Sequence, residues 1–195
     1  MEKYLSIPKN EEFFSEIIIN KSRFLGFCKY VESKDEAETY LKSLKNKYPD
    51  STHICYAYKL TNSAKLSDDG EPSGTAGKPI LTVLEQKGLV NVVLAVVRYF
   101  GGVKLGAGGL MRAYLNTAIK VIDSAPKVSW EECEKVQIIL PINEYQSFLH
   151  SIKGRKVVIV DRQFGQNVEL TCVRAMNKII NNEKVIQKLM WSFDE

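Results

Sequence analysis

The spacing of apolar residues predicts alternating strands and helices in the first half of the chain. Runs rich in β-branched and aromatic residues lie on both sides of Asn20-Lys21-Ser22, which is typical of a β-hairpin. Ser33, followed three positions later by Glu36, has the pattern of a capped helix start. The predicted elements are a hairpin with arms 16–19 and 23–31, a helix over 34–47, a strand over 53–60 and a helix over 76–86.

A glycine-rich segment, residues 98–114, lies between an apolar, β-branched run at 92–97 and a stretch of helical apolar spacing at 110–119. Free backbone N–H groups at such a helix start can hold an anion, and Arg98, Lys104 and Arg112 add positive charge around it. Glycines also occur where a helix packs closely on a strand, so both interpretations stay open. The spacing matches neither a P-loop nor a dinucleotide fingerprint. The glycines are Gly101, Gly102, Gly106, Gly108 and Gly109.

A second segment, residues 67–79, places three carboxylates within four positions: Asp68, Asp69 and Glu71. Clustered carboxylates can hold a hard cation such as Mg²⁺. They are also found in solvated turns, at helix caps, or paired with an arginine, here Arg98 or Arg112. The spacing is not that of an EF-hand, and we expect no bound metal.

The second half of the chain starts a new pattern after a linker at 125–127, so we expect two domains, residues 1–127 and 128–195. The predicted elements are a strand over 136–141, a helix over 143–152, a hairpin with arms 156–161 and 167–174, and a helix over 175–190 that is broken at 181–182. Only residues 191–195 then remain to form a final strand.

Composition and charge narrow the function classes. Residues 1–127 hold 18 Lys and Arg against 14 Asp and Glu, whereas residues 128–195 hold nine of each, so the net charge of +4 belongs to the first part. This charge permits contact with nucleic acid without requiring it. No apolar run approaches the length of a membrane span, and the N-terminus lacks the apolar core of a signal peptide. The four cysteines, which form no Cys-x-x-Cys pair, predict free thiols in a reducing cytoplasm.

Residues 68–81 and 98–114, with the strand that begins at His53, resemble the signature segments of the YigZ/IMPACT family. The resemblance implies an α+β fold with two domains. The N-terminal domain would carry the left-handed β-α-β unit of elongation factor G domain IV, and the C-terminal domain would be ferredoxin-like. Eukaryotic members are linked to control of the amino-acid-starvation kinase, and bacterial members have no accepted catalytic residues.

We therefore expect a non-enzymatic cytoplasmic protein without a cofactor that engages the translation apparatus, through RNA or a ribosome-associated protein. The predicted phosphate contacts are Lys78, Arg98, Lys104 and Arg112 together with the five glycines. Tyr99 and Phe100 are candidates for stacking on bases, although aromatic residues at a strand end are usually core residues. The alternative is a nucleotide- or phosphate-binding enzyme of GHMP-kinase-like fold, in which the glycines cradle phosphates and Asp68 or Glu71 holds Mg²⁺.

Overall fold

The computed structural model describes residues 3–176, 178–181 and 183–193. The chain divides into two compact units, both containing strands and helices. The first unit is Leu5–Val128, and the second comprises the other described residues, including Lys3 and Tyr4. The division by contacts thus falls one residue after the boundary expected at Lys127.

The first unit is built on an antiparallel sheet whose central strand is buried over its first seven residues. Its elements, together with the N-terminal strand, are β1 (Lys3–Ser6), β2 (Glu12–Ile19), β3 (Ser22–Tyr30), α1 (Lys34–Lys47), β4 (His53–Lys59), β5 (Ala64–Ser67), α2 (Gly77–Gln86), β6 (Val92–Tyr99) and α3 (Gly106–Ser124). The sheet order is β2-β3-β6-β4-β5. Because β6 pairs antiparallel with both β3 and β4, those two strands are parallel to each other, and α1 connects them.

Helices cover both faces of this sheet. Val93, Ala95 and Val97 of β6 belong to the core cluster that includes the apolar face of α1. Successive side chains of a strand point to opposite faces, so the neighbouring positions of β6 face α2 and α3. On that second face the rings of Phe24 and Tyr114 meet edge to face, with centroids 5.3 Å apart.

One cross-strand row on the second face positions the candidate site. Phe24 of β3 is directly opposite Arg98 of β6, and Arg98 is directly opposite His53 of β4. Residues directly opposite each other in an antiparallel pair share a face of the sheet. Phe24, Arg98 and His53 therefore lie side by side where β6 ends, on the face that α3 covers.

The second unit has a sheet centred on a long strand. Its elements are β7 (Val128–Pro141), a 3₁₀ turn (Ile142–Glu144), α4 (Tyr145–Ile152), β8 (Val157–Phe164), β9 (Asn167–Ala175) and β10 (Glu183–Ser192). The strand order is β1-β7-β9-β8, and β10 also pairs with β7. Alternate residues of β7 and β9, among them Ile138 and Leu170, form a core with Tyr145 and Phe148 of α4.

The predicted helix over 175–190 is wrong, because residues 183–192 form β10, antiparallel to β7. The residues of this segment are good helix formers, but pairing with a long strand that offers a free edge outweighs their local preference. The final strand therefore starts well before residue 191; of the break expected at 181–182, residue 182 lies outside the described residues. A ferredoxin-like domain has the order β-α-β-β-α-β, and the described residues of this unit lack its second helix.

Two smaller differences concern the first unit. The elements predicted from the sequence do not include β5, an edge strand of four residues whose apolar and polar positions alternate over too short a span to stand out. Helix α3 begins at Gly106, four residues before the expected start at Leu110. Glycine disfavours helix, yet the first turn of a helix carries the fewest hydrogen bonds to lose, so Gly108 and Gly109 are accommodated there.

Candidate functional site

A buried ion pair joins the two signature segments. Arg98, at the end of β6, donates from Nη1 to Oε1 of Glu71, and the two side chains are only 6% and 3% exposed. The Tyr114 hydroxyl of α3 donates to the same carboxylate oxygen at 2.8 Å. Of the partners that the sequence offered Arg98, the structure therefore selects Glu71, and it adds Tyr114, which the sequence did not suggest.

Asp68 caps the N-terminus of α2. Its carboxylate accepts the backbone N–H groups of Gly74, Ala76 and Gly77 at 2.8–2.9 Å. Partial burial by itself raises the pKa of this carboxyl group, but the three N–H donors outweigh it and lower the pKa overall. The positive end of α2 is thus satisfied by a carboxylate of the chain itself.

Asp69 fastens the same turn to β4. Its Oδ2 accepts the backbone N–H of Ile54 at 2.7 Å, and Lys45 lies 3.8 Å from Oδ1. Its carbonyl oxygen lies 2.7 Å from Nδ1 of His53. Since a carbonyl oxygen can only accept a hydrogen bond, Nδ1 carries a proton and donates it, and Nε2 is the ring nitrogen that remains available to a further partner. All three carboxylates of the acidic segment are therefore used in capping and pairing, which is one of the alternatives left open by the sequence.

The N-terminus of α3 differs from that of α2. Among the described residues no side chain caps it, and its first turn contains no acidic residue. Lys104 and Arg112 are exposed on either side of this first turn, and Lys78 is exposed on α2. Within the described part of the chain, none of these three residues forms an ion pair. Helix α3 therefore presents unoccupied N–H groups and a positive dipole end near exposed cations.

Close packing explains one of the glycines. A Cβ atom on Gly101 would lie 2.0 Å from the carbonyl carbon of Lys21 in the β2–β3 turn, a distance that no side chain can tolerate. Gly106 has φ +68°, in the left-handed region where glycine is at no steric disadvantage. The tight-packing interpretation thus holds at Gly101, while Gly106 allows the turn into α3.

A cleft of about 460 Å³ lies where these features meet. Both signature segments line it, and they are therefore adjacent. Its lining residues are Thr52, His53, Glu71, Pro72, Arg98, Phe100, Lys104, Leu105, Gly106, Ala107 and Leu110.

The cleft includes only some of the predicted phosphate contacts. Arg98, Lys104 and Gly106 line it, whereas Lys78 and Arg112 do not. Of the remaining predicted glycines, Gly102, Gly108 and Gly109 are outside its lining, as is Gly101.

Two residues at this site, His53 and Thr52, were not proposed as binding residues from the sequence. His53 is predicted only as the start of a strand, and its place beside Arg98 follows from strand register, which no local pattern encodes. Phe100 is half-exposed, whereas Tyr99 is more buried and its hydroxyl donates to Asp50 at 3.1 Å. Thr52 accepts the backbone N–H of Phe100 through its hydroxyl at 3.0 Å and so fixes the chain at the rim.

The four cysteines are buried free thiols, as their spacing predicts. Cys55 lies next to the ion pair, with Sγ 3.3 Å from the Tyr114 hydroxyl and 2.9 Å from the carbonyl oxygen of Asp68. Burial raises the pKa of the Cys55 thiol to about 12, so the thiol is neutral at physiological pH. Cys55 is therefore a packing residue beneath the acidic turn.

None of the described helices is both long and apolar enough to cross a membrane.

Comparison with known proteins places this architecture in a family. Residues 20–122 match the Impact N-terminal domain. An IMPACT family member of Haemophilus influenzae is 38% identical over 178 residues, which cover 79% of this chain and 85% of that protein. A crystal structure of a hypothetical protein is similar with a TM-score of 0.65 and 26% identity, covering 89% of this chain and 86% of that one.

A weaker structural likeness is to the two-domain translational regulator Yih1. It has a TM-score of 0.41 and 26% identity, and it covers 60% of this chain and 48% of that one. The family match extends over more than half of the chain, and the H. influenzae relative matches most of it. The chain therefore belongs to the IMPACT family.

Proposed function

We propose that this protein is a non-enzymatic, cytoplasmic regulator that engages the translation apparatus by binding RNA through the cleft face of its first unit. The proposal includes the fold likeness that the family resemblance implies: a left-handed β-α-β unit like that of elongation factor G domain IV in the first unit. It also includes a ferredoxin-like second unit that is shortened by one helix. Family membership supports the translation role.

The observation that carries the RNA contact is the uncapped N-terminus of α3 beside Lys104. Lysine, arginine and free backbone N–H groups supply the sequence-independent part of nucleic-acid affinity. Lys104 is exposed and has no carboxylate partner within the described residues. The surplus of positive charge also lies in this part of the chain.

The geometry does not favour the kinase-like alternative. Phosphoryl transfer with Mg²⁺ needs carboxylates that are free to hold the ion. Here Asp68 caps α2 through three N–H groups, and Glu71 is bound by Arg98 and Tyr114. Both carboxylates have structural partners that such a reaction would have to displace.

The test is binding of a structured RNA hairpin, measured by fluorescence anisotropy between 50 and 200 mM salt for the parent and for Lys104→Ala. Loss of one phosphate contact should weaken binding to all sequences alike and reduce the slope of log affinity against log salt by about 1. Lys42→Ala is the matched control, because Lys42 is an exposed lysine of α1, which packs on the opposite face of the sheet.

Thermal unfolding of both variants is measured alongside binding. If Lys104→Ala melts like the parent and binds with unchanged affinity and salt slope, phosphate contact at the cleft is refuted. The protein-partner interpretation then takes its place. Equal weakening in Lys104→Ala and Lys42→Ala would show an effect of net charge alone and would also count against the cleft.

A further inference from the structure

We propose that the cleft seats one single-stranded nucleotide of the bound RNA, with its phosphodiester at the N-terminus of α3 and its base against Phe100. This inference rests on the proposed function, since it names the part of the RNA that the cleft face takes. Four features of the cleft support it: an open helix end, a buried arginine with unused donors, a balance of charge that suits one phosphodiester, and a half-exposed aromatic ring.

The helix end provides the phosphate position. Helix α3 has 19 residues, and Gly106 and Ala107 at its start line the cleft. In the part of the chain that the structure describes, no side chain caps this helix start. In α2 the N–H groups at the equivalent position donate to Asp68. The anion position at the start of α2 is therefore filled by a side chain, whereas the one at the start of α3 is open.

Arg98 is the second and independent indication of an anionic ligand. It lines the cleft, although only 5% of its surface is exposed. A guanidinium group has five N–H donors; here Nη1 donates to Glu71, while Nε is buried and has no partner among the described residues. Buried donors are normally satisfied, so unused ones beside an open helix end point to an acceptor that binds there.

The balance of charge sets the size of the anion. The Arg98 charge is already neutralised by Glu71, which leaves Lys104 as the lining residue with an uncompensated full charge. One such cation and a helix end suit a phosphodiester, which carries one negative charge, better than a di- or triphosphate. The cleft volume of about 460 Å³ lies within the usual range for small-ligand sites, roughly 300–1,000 Å³.

Phe100 provides the base position. The residue is 47% exposed, and the Arg98 guanidinium lies 5.5 Å from the centroid of its ring. The same guanidinium lies 5.3 Å from the centroid of the buried Phe24, so Arg98 supports Phe100 from the protein side. Pro72, Leu105 and Leu110 give the cleft its apolar wall, and aromatic rings of this kind stack on unpaired bases with little sequence preference.

The test compares a single-stranded uridine hexamer with a blunt-ended, fully paired RNA duplex, using parent, Phe100→Ala and Phe100→Trp proteins. Phe100→Ala should weaken hexamer binding roughly tenfold, Phe100→Trp should retain it, and neither should alter duplex binding. Phe14→Ala is the matched control, since Phe14 is a 52% exposed phenylalanine on the α1 face of the sheet, and it should bind both RNAs like the parent. Melting curves identify any variant that fails to fold.

Small probes distinguish the source of the phosphate. The dinucleoside monophosphate UpU, the smallest diester, should compete with the hexamer, and adenosine monophosphate should compete less. Tighter binding of adenosine monophosphate than of the hexamer would refute the proposal that the cleft takes a nucleotide of RNA (the nucleotide seat) and would favour a small metabolite as its ligand.

The seat and the proposed function can fail separately. If Phe100→Ala leaves hexamer binding unchanged while Lys104→Ala weakens it, the seat is refuted and the proposed function stands. If the parent binds neither RNA, both are refuted.

Discussion

Removing the charge of Glu71 should destabilise the first unit strongly, although the side chain keeps its shape. In Glu71→Gln the buried Arg98 guanidinium loses its counter-charge while it stays away from water. Breaking a buried ion pair from one side costs about 3–5 kcal/mol, because the remaining charge is uncompensated. The Tyr114 hydroxyl can still donate to the amide oxygen, so this cost arises mainly from Arg98.

The chain has an exposed pair that serves as a matched control. Lys87 and Asp123 join the end of α2 to α3 at 2.7 Å, and their side chains are 41% and 51% exposed. Pairs in water contribute about 0–1 kcal/mol, so Asp123→Asn should cost less than 1 kcal/mol, roughly. The double variant Glu71→Leu/Arg98→Met should be more stable than either single change, since apolar replacement of a whole buried pair removes the desolvation penalty with it.

The assay follows the two units by separate signals. Helices α1, α2 and α3 of the first unit have 14, 10 and 19 residues and α4 has 8, so circular dichroism at 222 nm reports mainly the first unit. Trp130 and Trp191 both belong to the second unit, which their fluorescence reports. With a urea slope of about 2 kcal/mol/M, Glu71→Gln should lower the dichroism midpoint by about 2 M. A shift no larger than that of Asp123→Asn would refute the assignment of the ion pair as the joint between the segments.

Three further predictions test the packing around the site. In urea unfolding, Gly101→Ala should lower the free energy of unfolding by about 3 kcal/mol or more, because the added Cβ would collide with backbone atoms. Gly74→Ala, at φ +74° and with open space around it, should lower it by about 1–2 kcal/mol. Equal losses for the two variants would contradict the close approach at Gly101. The folded-state pKa of Asp68 is lowered from 3.8, so the stability that its carboxylate contributes is present above roughly pH 4 and is lost as pH falls through the folded pKa. Asp68→Asn should therefore be less stable than the parent at pH 7, and the difference in unfolding free energy should shrink on acidification. A difference that does not change with pH would contradict this prediction. Burial raises the pKa of Cys55 to about 12, so a thiol reagent at pH 8 should label it only after unfolding, and rapid labelling of the native protein at this position would disprove its burial.

Local patterns in the sequence predict the elements that depend on local interactions. Helix α1 has the predicted bounds because its start is determined by two side chains close in sequence. Ser33 accepts the N–H of Glu36 at 3.2 Å, and Glu36 accepts the N–H of Glu32 at 2.8 Å. The β2–β3 turn is likewise local, with positive φ at both Asn20 and Lys21, which suits a two-residue hairpin turn.

Elements that depend on distant partners were not predictable in the same way. The residues of β10 favour helix by themselves, and only the free edge of β7, more than forty residues earlier in the chain, makes them a strand. At the site, opposite charge predicted a pair between Arg98 or Arg112 and one of three carboxylates, but the choice of Arg98 and Glu71 depends on how the chain folds in three dimensions. The position of His53 beside Arg98 depends on register between β4 and β6, and a shift by one residue would move it to the other face.

The contrast between the two helix starts explains why the acidic and glycine-rich segments occur together. Both α2 and α3 begin at the same end of the sheet, and each exposes N–H groups that attract an anion. The acidic segment supplies that anion to α2 through Asp68 and a counter-charge to Arg98 through Glu71. The carboxylates are therefore already bound by groups of the chain itself. The N-terminus of α3, next to Lys104, has no acidic residue in its first turn. On this face of the sheet the start of α3 is therefore the helix end that an anion from outside the chain can reach, and the cleft lies in front of that helix end.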